Sequence, residues 1–267
     1  MSKPKTRPVA LTVAGSDSGG GAGVQADLKT FAALGVHGTC AVTCLTAQNP
    51  RRITAICATP HQMVSAQIAA VLEFMPPAAI KTGMLYNVGI IRAVAAALSK
   101  HRAPLVVDPV TISTSGTRLL KLDAISALET DLISRAALVT PNLAEAQVFL
   151  ERRLVSPEDL RRAARDLHAR WGCAVLVKGG HLPRARDAVD FFYDGREELL
   201  FSAPFVRGVR THGTGCVYSA AITAWLARGR KLPEAIRRAK DFLTRAIAGS
   251  RQIGRGHILA LDFSRPE

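Results

Sequence analysis

The sequence predicts an α/β fold, with a mostly parallel central sheet flanked by helices on both faces. The run at 9–14 alternates poorly and is apolar on both faces, as a buried parallel strand should be, and further short strands are expected at Ala79–Thr82, Leu105–Val107 and Ala174–Lys178. Segments of helical length and capping chemistry separate them nearly throughout. Two of the strands lead directly to a charged side chain, Asp108 and Lys178, at the sheet edge where open α/β proteins bind ligands.

Taken in order, the run at 9–14 opens into Gly15-Ser16-Asp17-Ser18-Gly19-Gly20-Gly21-Ala22-Gly23. So glycine-rich a loop marks a ligand approach or a hinge. A helix over 24–34 follows, stopped by Gly35. Strands are expected over 38–45 and 53–58, with a turn over 48–52 between them. Thr59 is expected to cap a helix whose first position is Pro60 and which continues to Phe74. Next come the strand Ala79–Thr82, a helix over 88–100 and the strand Leu105–Val107, which ends on Asp108-Pro109.

Asp123 opens another helix, and 138–140 forms a short strand. Pro141-Asn142 starts a helix with Glu145 in its first turn, and Ser156-Pro157-Glu158-Asp159 is a strong N-cap cluster for a helix to Trp171. Ala174–Lys178 runs into Gly179-Gly180-His181. Two runs, 189–193 and 199–202, joined across Asp194-Gly195, read as a hairpin. Helices over 217–227 and 233–251 close the pattern. With no Pro/Ser-rich linker, low-complexity tract or repeat, the chain reads as one domain over 9–267 behind a flexible segment, 1–8.

The 267 residues are 48% apolar, enough for a substantial core, and carry a formal charge of +14. No run of about 18 apolar residues occurs, so no membrane partner is expected. The apolar run 9–14 is too short for a signal-peptide core, so a cytoplasmic location is expected. The charge is compatible with nucleic acid or with polyanionic small substrates. Its Lys/Arg residues are dispersed along helices (Arg161, Arg162, Arg165, Arg170; Arg237, Arg238, Lys240, Arg245) without a nucleic-acid motif, so a solvated basic surface is expected and nucleic acid is not. The five cysteines have neither Cys-x-x-Cys nor zinc spacing. Cys40, Cys44, Cys57 and Cys173 lie in strand-like runs and read as packing residues.

The most informative stretch is Thr211-His212-Gly213-Thr214-Gly215-Cys216. Such a turn at a helix start presents backbone N–H groups to a phosphate or a developing oxyanion. A cysteine in that first turn feels the same field, which favours the thiolate and lowers its pKa from about 8.5. In outline this is a phosphoryl-transfer arrangement. A competing sign is Gly21-Ala22-Gly23-Val24-Gln25-Ala26, which fits a dinucleotide fingerprint. No Asp or Glu lies between Leu28 and Leu72 to hold a ribose, and only Arg51 and Arg52 keep an NADP oxidoreductase in view. A P-loop is absent.

Together with that turn, the ordered set Ala14-Gly-Ser-Asp17, Gly20-Gly-Ala-Gly23-Val-Gln-Ala-Asp27-Leu-Lys29, Ala47-Gln48-Asn49, Lys81-Thr-Gly-Met84, Asp108-Pro-Val110, Thr140-Pro-Asn142 with Glu145, and Lys178-Gly-Gly-His181 closely resembles the hydroxymethylpyrimidine/phosphomethylpyrimidine kinases. These are thiamine-pathway members of the ribokinase superfamily, and the resemblance spans about residues 9 to 250. It implies a ribokinase-like domain, ATP as co-substrate with Mg²⁺, and two transfers. The first phosphorylates 4-amino-5-hydroxymethyl-2-methylpyrimidine and the second converts the monophosphate to the diphosphate, in biosynthesis or salvage. It also suggests a homodimer.

Residue by residue, the resemblance implies that Gln48 contacts the aminopyrimidine edge, that Asp27 accepts from the same ring, and that Met84 and Gly15 complete the ring's site. Asp108 and Glu145 are implied to organise Mg²⁺, partly through water. Lys178, Thr140, Asn142 and Thr211 are assigned to the nucleotide. N–H groups of Gly213, Thr214, Gly215 and Cys216 are to hold the migrating phosphoryl group, while Cys216 accepts or at least orients the hydroxyl proton. His212 and Lys178 are candidate positive charges for the second transfer. A cysteine-containing pyridoxal kinase is the same-chemistry alternative. Two positions depart from the usual pattern: Ser18-Gly19 stands where Pro-Ser is common, and Arg210 where asparagine is frequent.

Overall fold

The computed structural model describes residues 6–111, 119–121, 123–180, 182, 186–255 and 257–264. His181 and residues 1–5 of the expected N-terminal segment lie outside the described residues. The strands are β1 (Val9–Asp17), β2 (His37–Asn49), β3 (Arg52–Ala58), β4 (Ala79–Thr82), β5 (Leu105–Val107), β6 (Leu138–Val139), β7 (Ala174–Lys178), β8 (Asp187–Tyr193) and β9 (Glu198–Pro204). Among the described residues they form one sheet in the order β3-β2-β1-β4-β5-β6-β7-β8-β9. From β2 to β7 along that row neighbouring strands are parallel. β3, β8 and β9 are each joined antiparallel, as hairpin partners or edge additions. The chain leaves β1 on one side for β2 and returns on the other for β4. That reversal opens a crevice above the strands' C-terminal ends.

The apolar runs are explained by two cores, one on each face. Leu11, Val13, Val107, Val139, Val175 and Val177 pack on one side with Ile68, Ile91 and Leu167. Their immediate neighbours Ala10, Val106, Leu138 and Leu176 pack on the other with Phe31, Trp225 and Phe242. Nearly every residue of such a strand is buried, so no alternation of apolar and polar positions develops, and polar exceptions such as Thr12 and Lys81 are buried with the rest.

The helices are α1 (Gly23–Ala33), α2 (His61–Phe74), α3 (Val88–Ala97), α4 (Ala124–Ala127), α5 (Leu143–Leu150), α6 (Pro157–Trp171), α7 (Thr214–Ala227) and α8 (Leu232–Ala248). Capping boxes formed by Asn142 with Glu145 and by Ser156 with Asp159 start α5 and α6. Thr59 does not cap α2: the extended N-cap is Pro60, one residue later, and no side chain bonds the helix end. Asp123 makes no capping bond either, and α4 passes through a π turn (Leu128–Leu132) into a 3-10 turn (Ile133–Arg135). α7 starts three residues before the predicted 217, because the glycine turn itself supplies its first turn.

Cys44 and Cys173 are buried as expected, Cys40 is half-buried, and Cys57 is exposed on the edge strand β3. Several of the dispersed arginines pair with surface acids, Arg161 and Arg165 with Glu198 among them. A second, unpredicted sheet joins β10 (Arg210–Thr211) to β12 (Ile258–Ala260), which also pairs with β11 (Arg251–Gln252). It tethers the chain just ahead of the glycine turn. Among the described residues no helix is long and apolar enough to cross a membrane.

Candidate active site

A cleft of about 620 Å³ lies over the C-terminal ends of the parallel strands. It brings together Gly15 and Asp17 from β1, Gln48 from β2, Lys81 from β4, then Met84, Asp108, Asn142, Glu145, Lys178 and the stretch from Thr211 to Cys216. Residues up to about 200 positions apart thus meet because strand ends converge there. Two expected members do not line it. Asp27 is fully buried beneath it, and Thr140 is buried behind Asp108 at 3.4 Å.

The glycine turn is built for close approach. Gly213 has φ +83°, and a Cβ there would fall 1.8 Å from the Gly21 carbonyl oxygen. The first bond inside α7 runs from Val217 N–H to Gly213 O, 3.0 Å. N–H groups of Thr214, Gly215 and Cys216 therefore have no partner within the helix. They stand at its positive end, and the helix behind them is buried from Val217 through Trp225.

Cys216 overturns one expectation. Its thiol is pushed up to about 11, not down. Burial is the main cause; the charge of Lys81 pulls the other way, while Asp27 and Asp108 add to the rise. Loss of solvation outweighs the pull of Lys81 and of the Gly23 backbone.

Lys81, which the residue-level reading did not assign, is completely buried and has both Asp27 oxygens at 2.8 Å. Thr12 Oγ1 donates to Asp27 Oδ2 at 2.6 Å. With its oxygens so engaged, Asp27 positions Lys81 rather than meeting a ring. Burial opposes the charge on Lys81, yet Asp27, Cys216 and Asp108 hold its pKa above the ordinary lysine value. The cue for Lys81 was the one that flagged Lys178: a lysine in or at the end of an apolar strand.

Next to the glycine turn, Lys178 Nζ lies 2.9 Å from Asp108 Oδ1, and Ser219 donates to Asp108 Oδ2 at 2.9 Å. Glu145 accepts from Asn142 N–H at 2.8 Å. Its carboxyl is pushed up to about 7, first by burial and further by Asp108, against the pull of Lys178. Two buried carboxylates and one ammonium thus share this corner.

Asp17 organises the first loop. It accepts from the N–H groups of Gly19 (2.8 Å), Gly21 (3.1 Å) and Ala22 (2.8 Å), and His212 Nε2 lies 3.3 Å away. Burial works against its charge, but the bonds from His212 and the loop amides prevail and hold its pKa below the usual carboxylate value. A bulge between Ala47 and Gln48 shifts the β2–β3 register and re-aims Gln48. The far wall contains Phe205, Val206, Val209, Leu243 and Ile247, with Lys240 bonded to Asp190 at 2.6 Å. No motif announces that wall, since it combines an irregular connection with one face of α8.

Comparison with known proteins gives the family and the fold. The family profile described as phosphomethylpyrimidine kinase matches residues 17–260. The chain is 45% identical over 260 residues to a hydroxymethylpyrimidine/phosphomethylpyrimidine kinase of Rhizobium meliloti, covering 96% of this chain and 97% of that one. It is 45% identical to the thiamine biosynthesis bifunctional protein ThiED of Geobacter sulfurreducens, over 95% of this chain but only 52% of that longer protein. Among solved structures, an ADP complex of Bacillus subtilis pyridoxal kinase superposes with TM-score 0.89 at 35% identity, covering 97% and 98% of the two chains. A phosphomethylpyrimidine kinase from Clostridium difficile gives 0.80 at 38% identity, over 90% and 100%.

Proposed function

The chain belongs to the phosphomethylpyrimidine kinase family, and from that membership we propose how its cleft performs the reaction. It is an ATP-dependent hydroxymethylpyrimidine/phosphomethylpyrimidine kinase of thiamine biosynthesis. It transfers a phosphoryl group to the alcohol of 4-amino-5-hydroxymethyl-2-methylpyrimidine, then a second to the resulting monophosphate. The observation that carries the assignment of the reacting centre is the row of N–H groups at Thr214, Gly215 and Cys216, with Lys178 Nζ 3.5 Å from where a Gly215 Cβ would stand.

Those donors face the site where charge gathers on the three equatorial oxygens in transfer. Lys178, next to Gly215, neutralises the triphosphate, with Asn142 and Thr211 serving the same nucleotide. Gln48 engages the pyrimidine edge, and Met84 and Gly15 form the floor, where a Cβ on Gly15 would strike Cys44 Sγ at 2.7 Å. Cys216, a neutral thiol at physiological pH, orients the substrate hydroxyl in line. Proton loss is late, because the nucleophile is little bonded in a loose transition state. His212 lends charge to the second acceptor, a phosphate oxygen.

The oxygen-only pair Asp108 and Glu145 fits a hard divalent ion, which takes few carboxylates and completes its shell with phosphate and water. Mg²⁺ held there would supply charge neutralisation to the ATP phosphates. A homodimer and a single domain over 9–267 belong to the same proposal. Phosphorus NMR of a reaction with the pyrimidine alcohol, ATP and Mg²⁺ tests the reading; a diphosphate must appear after the monophosphate. The overlay on pyridoxal kinase favours pyridoxal as a second alcohol. Turnover of pyridoxal alone would replace the main reading.

A further inference from the structure

Gln48 is surrounded by more hydrogen-bond partners than their protons can serve in the orientation in which it stands. Its Oε1 is 3.1 Å from Thr46 Oγ1 and its Nε2 is 3.2 Å from His212 Nε2. Thr46 Oγ1 is also 2.7 Å from the Ser16 carbonyl oxygen. A carbonyl only accepts, so the single hydroxyl proton of Thr46 is committed to Ser16. Toward Gln48, Thr46 then has only a lone pair, and an amide oxygen there would face oxygen without a proton between them.

The other end leads to the same conclusion independently. Asp17, 3.3 Å from His212 Nε2, is ionised and acceptor-only, because three backbone amides of its loop already point at it. His212 Nε2 must carry a proton toward that carboxylate. An amide N–H₂ of Gln48 against the same nitrogen would set donor against donor. One reversal of the carboxamide removes both conflicts, with the single His212 Nε2 proton shared between the Asp17 carboxylate and the Gln48 carbonyl.

We propose that Thr46 and His212 are positioning residues that hold the Gln48 carboxamide reversed, with N–H₂ toward Thr46 and C=O toward His212. The amide then retains one N–H and one lone pair, in a fixed order. That order selects a heteroaromatic ring offering an adjacent acceptor and donor, as an aminopyrimidine does, over a ring that offers them the other way round. The selectivity rests on Gln48 as the pyrimidine contact; the orientation does not.

Neutron diffraction from the deuterated full-length protein reads the orientation directly. Two deuterons on the Gln48 atom nearest Thr46, with the Thr46 deuteron aimed at Ser16 O, are expected; the opposite placement overturns the proposal whatever the substrate. Kinetics read the consequence. Thr46→Val should raise KM for the pyrimidine alcohol roughly three- to ten-fold, the worth of one hydrogen bond, with kcat and the KM for ATP within about two-fold. Thr46→Ser, which keeps the hydroxyl, should restore the wild-type KM. An unchanged KM in Thr46→Val alongside a raised KM in Gln48→Ala overturns the positioning role. An unchanged KM in Gln48→Ala removes the pyrimidine contact and the selectivity with it.

Discussion

At Cys216 the helix field and burial compete, and burial prevails. A helix N-terminus lowers a thiol pKa, but this half-buried cysteine loses much of the solvation a thiolate needs, and the group rises to about 11. Iodoacetamide at pH 8, followed site by site by mass spectrometry, should therefore spare Cys216 in the ligand-free protein while exposed Cys57 reacts. Labelling of Cys216 with a midpoint below pH 9 would restore the thiolate. In turnover, Cys216→Ala should lower kcat by about 10², the effect of a misplaced nucleophile, and wild-type kcat should show no thiol limb between pH 6 and 9. Such a limb would make Cys216 the base. Gln48→Ala should raise KM for the pyrimidine by about ten-fold with little change in kcat; an unchanged KM excludes the contact. Cys216, Asp108 and Lys178, which share the cleft, were legible as candidates because each stands at a strand end or a helix start beside glycine or proline; Gln48, which has neither neighbour, was picked out by the family resemblance alone. Asp27 was not legible, since its place in the first helix does not reveal which way its carboxylate faces. Lys81, 54 residues away, decides that.

Among the elements, the turn into α7 bears the tightest steric demand. Gly213 and Gly35 both have positive φ, +83° and +72°, but a Cβ at Gly213 meets the Gly21 carbonyl while one at Gly35 meets nothing within 4 Å. Gly35→Ala should cost about 1 kcal/mol of left-handed strain alone. Gly213→Ala should cost on the order of 3–5 kcal/mol, because the backbone of the first loop must move as well. Urea denaturation of the two variants checks the contrast, and equal midpoints would mean that the two loops are not in contact. The strands Ala79–Thr82, Leu105–Val107 and Ala174–Lys178 match their predicted bounds, the last two because their continuous apolar burial leaves an unambiguous pattern. The small sheet of β10, β11 and β12 was illegible, since its strands are two or three residues long and none of their residues is buried, unlike the equally short but fully buried Leu105–Val107.

For the molecule as a whole, the parallel sheet could be inferred from the alternation of elements, whereas the cost of its cleft to stability could not. Folding places Asp108 and Glu145 together out of water and raises Glu145 from 4.5 to about 7. The folded state therefore holds this proton more tightly than the unfolded state. The resulting stabilisation is complete below the unfolded pKa of 4.5 and is lost as pH rises through about 7. Over that window the loss is on the order of 3 kcal/mol. Other carboxylates titrate too, so the informative quantity is the difference between wild type and Glu145→Gln, whose amide oxygen can still accept from Asn142 N–H. With EDTA and no nucleotide, the two should melt within a few degrees of each other at pH 5. At pH 8 the variant should melt higher by several degrees. Mg²⁺ and ATP should reverse the order at pH 8, because a ligand that requires the ionised carboxylate stabilises only the wild type through it. Melting differences that are identical at pH 5 and pH 8 would show that Glu145 carries no buried charge. A nucleotide-induced shift as large in the variant as in the wild type would remove Glu145 from the proposed Mg²⁺ site.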